Sequence, residues 1–260
     1  MKILFLGDVV AKSGREAVIR NIQSLKAEYD ADFVIVNGEN AAHGKGITVS
    51  IYNRLVSAGA DIVTLGNHAF SKKEIIANID LCPRLVRPLN LSPTDIGSGV
   101  SVIERAGKKI AVVSVLCEAF MCPVEESPIT AVEKILENLR ADLVIVDLHG
   151  ESTGEKIIFA RYFADRLTAV IGTHTHVQTA DERILNGCAF ISDVGMCGAY
   201  DSVLGRDVEE MIAHTIEKKP TRYVPASGPA IICGCLIETD DETDRAVKIT
   251  RIQKTPSTLV

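Results

Sequence analysis

The sequence predicts an α/β protein in which two packed sheets, each of mixed strand direction, carry helices on their outer faces. Three observations lead there. Apolar runs of strand length alternate with helical patterns in three successive units at the start of the chain. A proline-punctuated stretch and a hairpin break that alternation, and the last third is rich in strands. Successive βα units require parallel strands with helices on the sheet faces, whereas a hairpin adds antiparallel pairs, so mixed sheets follow.

The elements follow in order. Lys2 to Leu6 reads as a buried strand, and Ser13-Gly14-Arg15-Glu16 is a capping-box sequence ahead of the helical spacing Val18, Ile19, Ile22, Leu25. The second unit has a strand at 33–37, a glycine-rich loop through Gly46, and a helix from Thr48 to Ala58 stopped by Gly59. Asp61 to Leu65 is the third strand, and Ser71-Lys72-Lys73-Glu74 is a second capping box before a short helix. Pro83, Pro88 and Pro93 mark a loop-rich segment. Val100 to Glu104 and Lys109 to Leu116 then form a hairpin turned at Ala106-Gly107-Lys108. Ser127-Pro128 starts a helix reaching Leu139. Strand 142–148, helix 154–165 and strand 168–171 resume the alternation. Strands at 189–192, 230–237 and 246–253 and a helix at 208–216 complete the chain.

At 260 residues the chain can bury a sizeable core. No linker, low-complexity tract or solenoid repeat divides it, so one domain over 1–260 is expected. Lys and Arg number 28 against 34 Asp and Glu, a net charge of −6 that argues against a polymeric nucleic acid as partner. A small phosphate ester stays admissible, because bound cations would supply positive charge locally. No apolar run approaches the roughly 20 residues of a membrane span. Asp8 interrupts the opening run too early for a signal peptide. A cytoplasmic protein with no membrane partner is expected, and assembly into a homo-oligomer is left open. Seven cysteines show no Cys-x-x-Cys spacing, and Cys233 and Cys235 share one strand face, which reads as buried thiols.

The chemistry concentrates in Ala169-Val170-Ile171-Gly172-Thr173-His174-Thr175-His176, an apolar run ending in two histidines one residue apart. In an extended chain both imidazoles project to one side, as a metal site needs. An isolated His-x-His could equally place one histidine as a strand cap and the other in the core. Four further apolar runs end in the same way beside a glycine: at Asp8, at Glu39 and Asn40, at Asn67 and His68, and at Asp147 and His149. One shared site explains all five. Ligands in open α/β sheets lie beyond the carboxyl ends of the strands. Two carboxylates, two amide oxygens and several imidazoles suit Mn²⁺, Fe or Zn²⁺ better than Ca²⁺. These exceed the needs of one tetrahedral ion, whereas two metals about 3.5–4 Å apart would use them.

Gly7-Asp8, Gly38-Glu39-Asn40, Gly66-Asn67-His68, His149 and Gly172-Thr173-His174-Thr175-His176 resemble the ordered motifs of the calcineurin-like metallophosphoesterases. The strings Gly-Asp-Val-Val-Ala-Lys-Ser-Gly-Arg and Asn-Gly-Glu-Asn-Ala-Ala are similar to those of the YmdB-like bacterial branch. The resemblance implies a four-layer α/β/β/α sandwich of two mixed sheets. It also implies Asp8, Glu39, Asn40 and His176 on one metal and Glu39, Asn67, His149 and His174 on the other, with Glu39 as bridge. His68 would be the general acid and a metal-bound hydroxide the nucleophile. The activity implied is a phosphodiesterase opening small cyclic nucleotides, 2′,3′ or 3′,5′, with iron or manganese and zinc as a further candidate. The chain departs from the broad pattern at Val10, where a histidine is usual, at Glu39, where an aspartate bridges, and at Ala69, where an acid follows the histidine. The missing imidazole and acid keep a second reading alive, a metal-containing regulatory protein that senses nucleotides with slow or no turnover.

Other features weigh less. Gly38 to Lys45 has the wrong glycine spacing for a P-loop, and Gly46 stands where Ser or Thr is required. The Ala42 to Gly46 run is either a plain glycine turn or a source of backbone N–H groups, His43 or Lys45 for a substrate phosphate. Val9 and Val10 exclude an aspartyl phosphatase or serine esterase at Asp8. His214 falls on a helix remote from every motif and reads as a surface or capping residue. Asp193 and Gly195 read equally as loop structure or as support for a histidine.

Overall fold

The structure is a computed structural model describing residues 1–259. In chain order its elements are β1 (Lys2–Leu6), β2 (Asp8–Val9), α1 (Ala11–Glu28), β3 (Phe33–Asn37), α2 (Val49–Ala58), β4 (Ile62–Thr64), α3 (Lys73–Asn78) and β5 (Leu85–Val86). They continue with β6 (Val100–Arg105), β7 (Lys108–Leu116), α4 (Pro128–Asn138), β8 (Leu143–His149), α5 (Thr153–Tyr162), β9 (Ala169–Thr173) and β10 (Arg183–Leu185). The last are β11 (Cys188–Ile191), β12 (Met196–Ala199), α6 (Val208–Thr215), β13 (Ala230–Thr239) and β14 (Ala246–Lys254).

Two sheets form. The first runs β2-β12-β13-β1-β3-β4-β5, with β14 paired to β13, and the second runs β10-β11-β9-β8-β7-β6. Strands β1, β3, β4 and β5 are parallel neighbours, as are β7, β8, β9 and β11, while β13, β6 and β10 add antiparallel pairs. The mixed sheets expected from the sequence are present.

The period of two along each strand sorts the core into layers. Ile3, Phe5, Phe33 and Ile35 meet Ile110, Val112, Leu143, Ile145 and Ile171 of the other sheet. Alternate residues Leu4, Leu6, Val34 and Val36 pack on Val18, Ile22, Leu25 and Leu55 of α1 and α2. On the far side Val113, Val146, Val170 and Phe190 pack on Val132 of α4 and Phe159 of α5. Helix, sheet, sheet, helix is thus the layer order, and the central strands of both sheets are buried on both faces.

Two helix starts differ from expectation. α1 begins at Ala11 with Val10 as its N-cap and no side-chain cap, so Ser13 lies inside the helix. The chain is fixed there instead by Val10 N–H donating to the Cys197 carbonyl at 2.8 Å and Ala11 N–H to that of Asn40 at 3.0 Å. Gly14 serves packing: a Cβ there would overlap the Cys197 carbonyl, so its absence lets α1 lie on β12. Likewise Ser71 does not cap α3, whose N-cap is Lys72. Glu74 turns to the neighbouring helix and accepts the Val49 N–H at 3.2 Å. Thr48 and Ser127 do cap α2 and α4, and Gly59 ends α2 at φ 130°. α5 stops at Tyr162, short of the expected residue 165.

Strands β2, β5, β10 and β12 were not anticipated, since two to four residues show no period. Cys233 and Cys235 are buried and free, and burial pushes the Cys233 thiol up to about 11. His214 is exposed in the last turn of α6, as expected.

Candidate active site

Five strand ends bring the eight predicted residues to one place, three from the first sheet (β1, β3, β4) and two from the second (β8, β9). Gly7 lets β1 turn to Asp8, because a Cβ there would overlap the Gly195 carbonyl. Asp8 is fully buried; its Oδ2 accepts the His174 N–H at 3.2 Å, and its Oδ1 has no hydrogen-bond partner. After β3, Asn37 Oδ1 accepts the Glu39 N–H at 3.1 Å and so aims the carboxylate inward.

Glu39 and His149 are the centre. His149 Nε2 lies 3.2 Å from Glu39 Oε1, 2.9 Å from Asn67 Oδ1 and 3.0 Å from His174 Nδ1. Glu39 Oε1 also accepts from Asn40 Nδ2 at 2.9 Å, and that nitrogen is 3.1 Å from His176 Nε2. Glu39 Oε2 accepts the His68 N–H at 3.2 Å. Ligand atoms of Glu39, His149 and His174 fall within 4.8 Å of one another. Gly66 makes the room: a Cβ at that position would overlap both Glu39 Oε2 and His149 Nε2.

Behind His149 runs a buried chain of hydrogen bonds. Its Nδ1 is 2.8 Å from Thr173 Oγ1, which donates to Asp147 Oδ1 at 2.6 Å. Asp147 Oδ2 accepts from Asn37 Nδ2 at 2.9 Å and Thr64 Oγ1 at 2.5 Å. With the Thr173 proton committed to Asp147, a neutral His149 carries its proton on Nδ1 and turns the Nε2 lone pair to the site.

The charges are in tension. Burial would raise Glu39, but the adjacent His149 imidazolium overrides it and holds the carboxyl down at about 2. Burial would lower His149, yet Glu39 carries it up to about 9. Burial lifts Asp8 to about 7, while burial and the His149 charge push His174 down to about 3. Burial also lowers His68 and raises Asp147. An unpartnered carboxylate oxygen, a second carboxylate and three imidazoles in a space closed to side-chain bulk suit cations of mixed nitrogen and oxygen preference.

The histidine turn is strained, with φ 108° at His174 and 66° at His176, a region costly for residues bearing a Cβ. Asp193 holds it. Its Oδ2 accepts the Thr175 N–H at 2.8 Å and Lys156 Nζ at 3.3 Å, and Lys156 also donates to the Thr173 carbonyl at 2.7 Å. Both residues are fully buried. Both readings open at Asp193 are present in its contacts: Oδ2 supports the histidine turn, and Oδ1 accepts the Gly195 N–H at 2.9 Å within its own loop. His176 Nδ1 rests 3.0 Å from the Leu204 carbonyl.

A cleft of ≈ 290 Å³ opens above these groups. Lys45, His68 and His176 line it, while His43 is exposed and borders a separate hollow with Lys12 and Arg15. His43 therefore does not share the site with Lys45. Glu151, Leu204, Arg206 and Tyr223 also line the cleft and were not anticipated. Glu151 carries a signal in retrospect, following His149 by two residues and lying 3.4 Å from His174 Nε2. Arg206 and Tyr223 carry none, since they lie in the long connection between β12 and β13, outside every motif.

The sequence profile of the family described as YmdB-like protein matches residues 4–252. The chain belongs to the YmdB-like family. A relative in Bacillus subtilis, named 2′,3′-cyclic-nucleotide 2′-phosphodiesterase, is 45% identical over 97% of this chain and 96% of its own. Two solved structures share the YmdB-like fold seen here. One, a hypothetical protein of Thermus thermophilus, is 39% identical with a TM-score of 0.91, covering 98% of this chain and 99% of its own. The other, a novel phosphatase of Mycoplasma pneumoniae, is 36% identical with a TM-score of 0.92, covering 98% and 93%.

Proposed function

We propose that this YmdB-like protein is a metal-dependent phosphodiesterase that opens small cyclic nucleotides, with the 2′,3′-cyclic class as its substrate. The observation that carries the reading is the convergence of Glu39, His149 and His174 within 4.8 Å, beside a buried Asp8 oxygen with no partner. The activity named for the B. subtilis relative supports the substrate class.

Asp8, Glu39, Asn40 and His176 would hold one cation and Glu39, Asn67, His149 and His174 the other, with Glu39 common to both. The mixed donors favour iron or manganese, and zinc also fits. Bound there, the ions supply Lewis acidity to the phosphodiester. The chain's own groups do the rest. Lys45 presents positive charge to the phosphate from the cleft wall. His68 follows Asn67 into the cleft, its backbone fixed by Glu39 and its ring without a hydrogen bond among the described residues. Position 69 holds a buried alanine, so no acid from there orients the ring or favours its protonated form, and the role assigned to His68 is to give a proton to the departing ribose oxygen when it carries one.

Metal analysis, a screen of phosphate mono- and diesters, and the variant His68→Ala test this together. The wild type should bind two equivalents and turn over 2′,3′-cyclic nucleotides. His68→Ala should keep its metals and lose about 10²–10⁴ in rate on the cyclic nucleotide, the usual worth of a general acid. It should lose much less on bis-nitrophenyl phosphate, whose nitrophenolate leaves without a proton. Equal losses on both substrates would make His68 a phosphate contact. A metal-loaded wild type that binds nucleotide and hydrolyses no diester would leave the sensing reading in its place.

A further inference from the structure

We propose that Leu204, Arg206 and Tyr223 form a nucleobase subsite at the cleft mouth, so that the protein selects diesters bearing a base over those without one. The inference rests on the phosphodiesterase reading and extends it to the part of the substrate that does not react.

All three residues come from the connection between β12 and β13 and line the same cleft as Glu39 and His68. Arg206 is built in with unusual care for an irregular surface segment. Its Nη2 donates to both Glu210 oxygens at 2.7 and 2.9 Å and its Nε to Oε2 at 3.2 Å, while Thr221 Oγ1 holds Glu210 at 2.5 Å. The Glu210 side chain is 7% exposed and that of Arg206 28%, so the anchor is covered on the carboxylate side and the guanidinium stays partly open. Nη1 makes no hydrogen bond among the described residues, which leaves a donor for a ligand. The guanidinium carbon stands 5.0 Å from the Tyr223 ring centroid.

Tyr223 is wedged in turn. Its ring and hydroxyl occupy the space a Cβ on Gly44 would fill, and Gly44 has φ 85°, so the loop that follows Glu39 and the β12–β13 connection meet at this ring. Leu204 exposes nearly half its surface beside it, and its carbonyl is fixed by His176 at 3.0 Å.

A half-buried aromatic ring, a guanidinium with an unused donor and a patch of aliphatic surface are the groups on which bases stack and hydrogen-bond. The geometry of a cyclic nucleotide fits their placement. Its phosphate must reach the floor at Glu39, below His68, so the base is left at the mouth. At ≈ 290 Å³ the cleft is at the small end of ligand sites, the size for a mononucleotide. The competing account is that the Arg206–Glu210 pair only fastens the start of α6.

The test measures KM and kcat of the metal-loaded protein on 2′,3′-cyclic AMP and on methyl riboside 2,3-cyclic phosphate, which has no base. The wild type should show a KM about tenfold lower for the nucleotide, within the lower part of the range that stacking on an aromatic contributes. Tyr223→Ala and Arg206→Met should each raise KM for the nucleotide about tenfold. KM for the baseless ester, kcat and metal content should not move, and Tyr223→Phe should restore the preference. Equal wild-type KM values on the two esters would overturn the subsite and leave the phosphodiesterase reading intact. So would variants that weaken both substrates alike or act through kcat, the pattern of a structural pin. Hydrolysis of neither ester would overturn the phosphodiesterase reading and the subsite with it.

Discussion

On the floor of the cleft, Asp8, Glu39, Asn40 and His149 are at most 3% exposed, whereas His68, His174, His176 and Arg206 on its walls remain partly open. The floor groups sit at or just beyond strand ends, and His149 is backed by the Thr173–Asp147 chain, whose members are all buried. On the wall, the histidine turn is secured by Asp193 under Thr175 and the Leu204 carbonyl under His176, and Arg206 by its hydrogen bonds to Glu210. Burial makes an error on the floor costly, because an unpaired group there has no water to turn to. On the wall the same error is cushioned by solvent. In the proposed assignment the floor supplies the buried cation ligands, while the wall adds His174 and His176 to them and presents His68 and Arg206 to the substrate.

The strongest challenge to this contrast is Glu39→Gln, which removes the charge of the carboxylate proposed to serve both sets of ligands. Activity should fall by upward of about 10⁴, beyond the range for losing a general acid, and elemental analysis should find both metals lost. A variant with full metal content and wild-type turnover would remove the bridging role. Thr173→Val is subtler, keeping shape while cutting the link from Asp147 to His149. Metal affinity should weaken about 10- to 100-fold, as for other groups that orient a ligand. Titration of apoprotein with Mn²⁺ reads this directly, and an unchanged affinity would mean that strand packing alone orients the ring. At the small end, His43→Ala should leave kcat/KM within about twofold, as surface changes usually do. A larger loss would bring the whole Ala42–Gly46 loop into the site and blur the line between wall and surface.

Much of the floor was legible in the sequence because its residues end apolar runs. A strand buried on both faces is written as a continuous stretch of Val, Ile and Leu, and the first polar residue after a glycine marks where it surfaces. Asp8, Glu39 and Asn67 announce themselves in this way, and His149 ends its run directly before Gly150. Lys156 and Arg206 do not. Lys156 looks like an ordinary solvated residue on an amphipathic helix, and only the fold shows it fully buried against Asp193. Arg206 depends on Glu210, Thr221 and Tyr223 in an irregular segment with no period to read. The two unused capping boxes have the same origin. Local signals were present at Ser13 and Ser71, and long-range backbone contacts fixed one helix start while Glu74 was drawn to a neighbour.

The strand order has a consequence for how the protein is made. β13 lies between β1 and β12, and β12 in turn holds β2, the strand that begins with Asp8. The first carboxylate to leave the ribosome thus waits for residues 196–239 before its own strand has neighbours. At roughly 5–20 residues per second that interval lasts on the order of ten seconds or more. Through it β1 can pair with β3 on one side only, and its other edge stays open to chance partners. Closing the sheet late means that the nascent chain is most vulnerable when it is nearly complete, and that a ribosome stalled before β13 would release a protein with an exposed apolar edge.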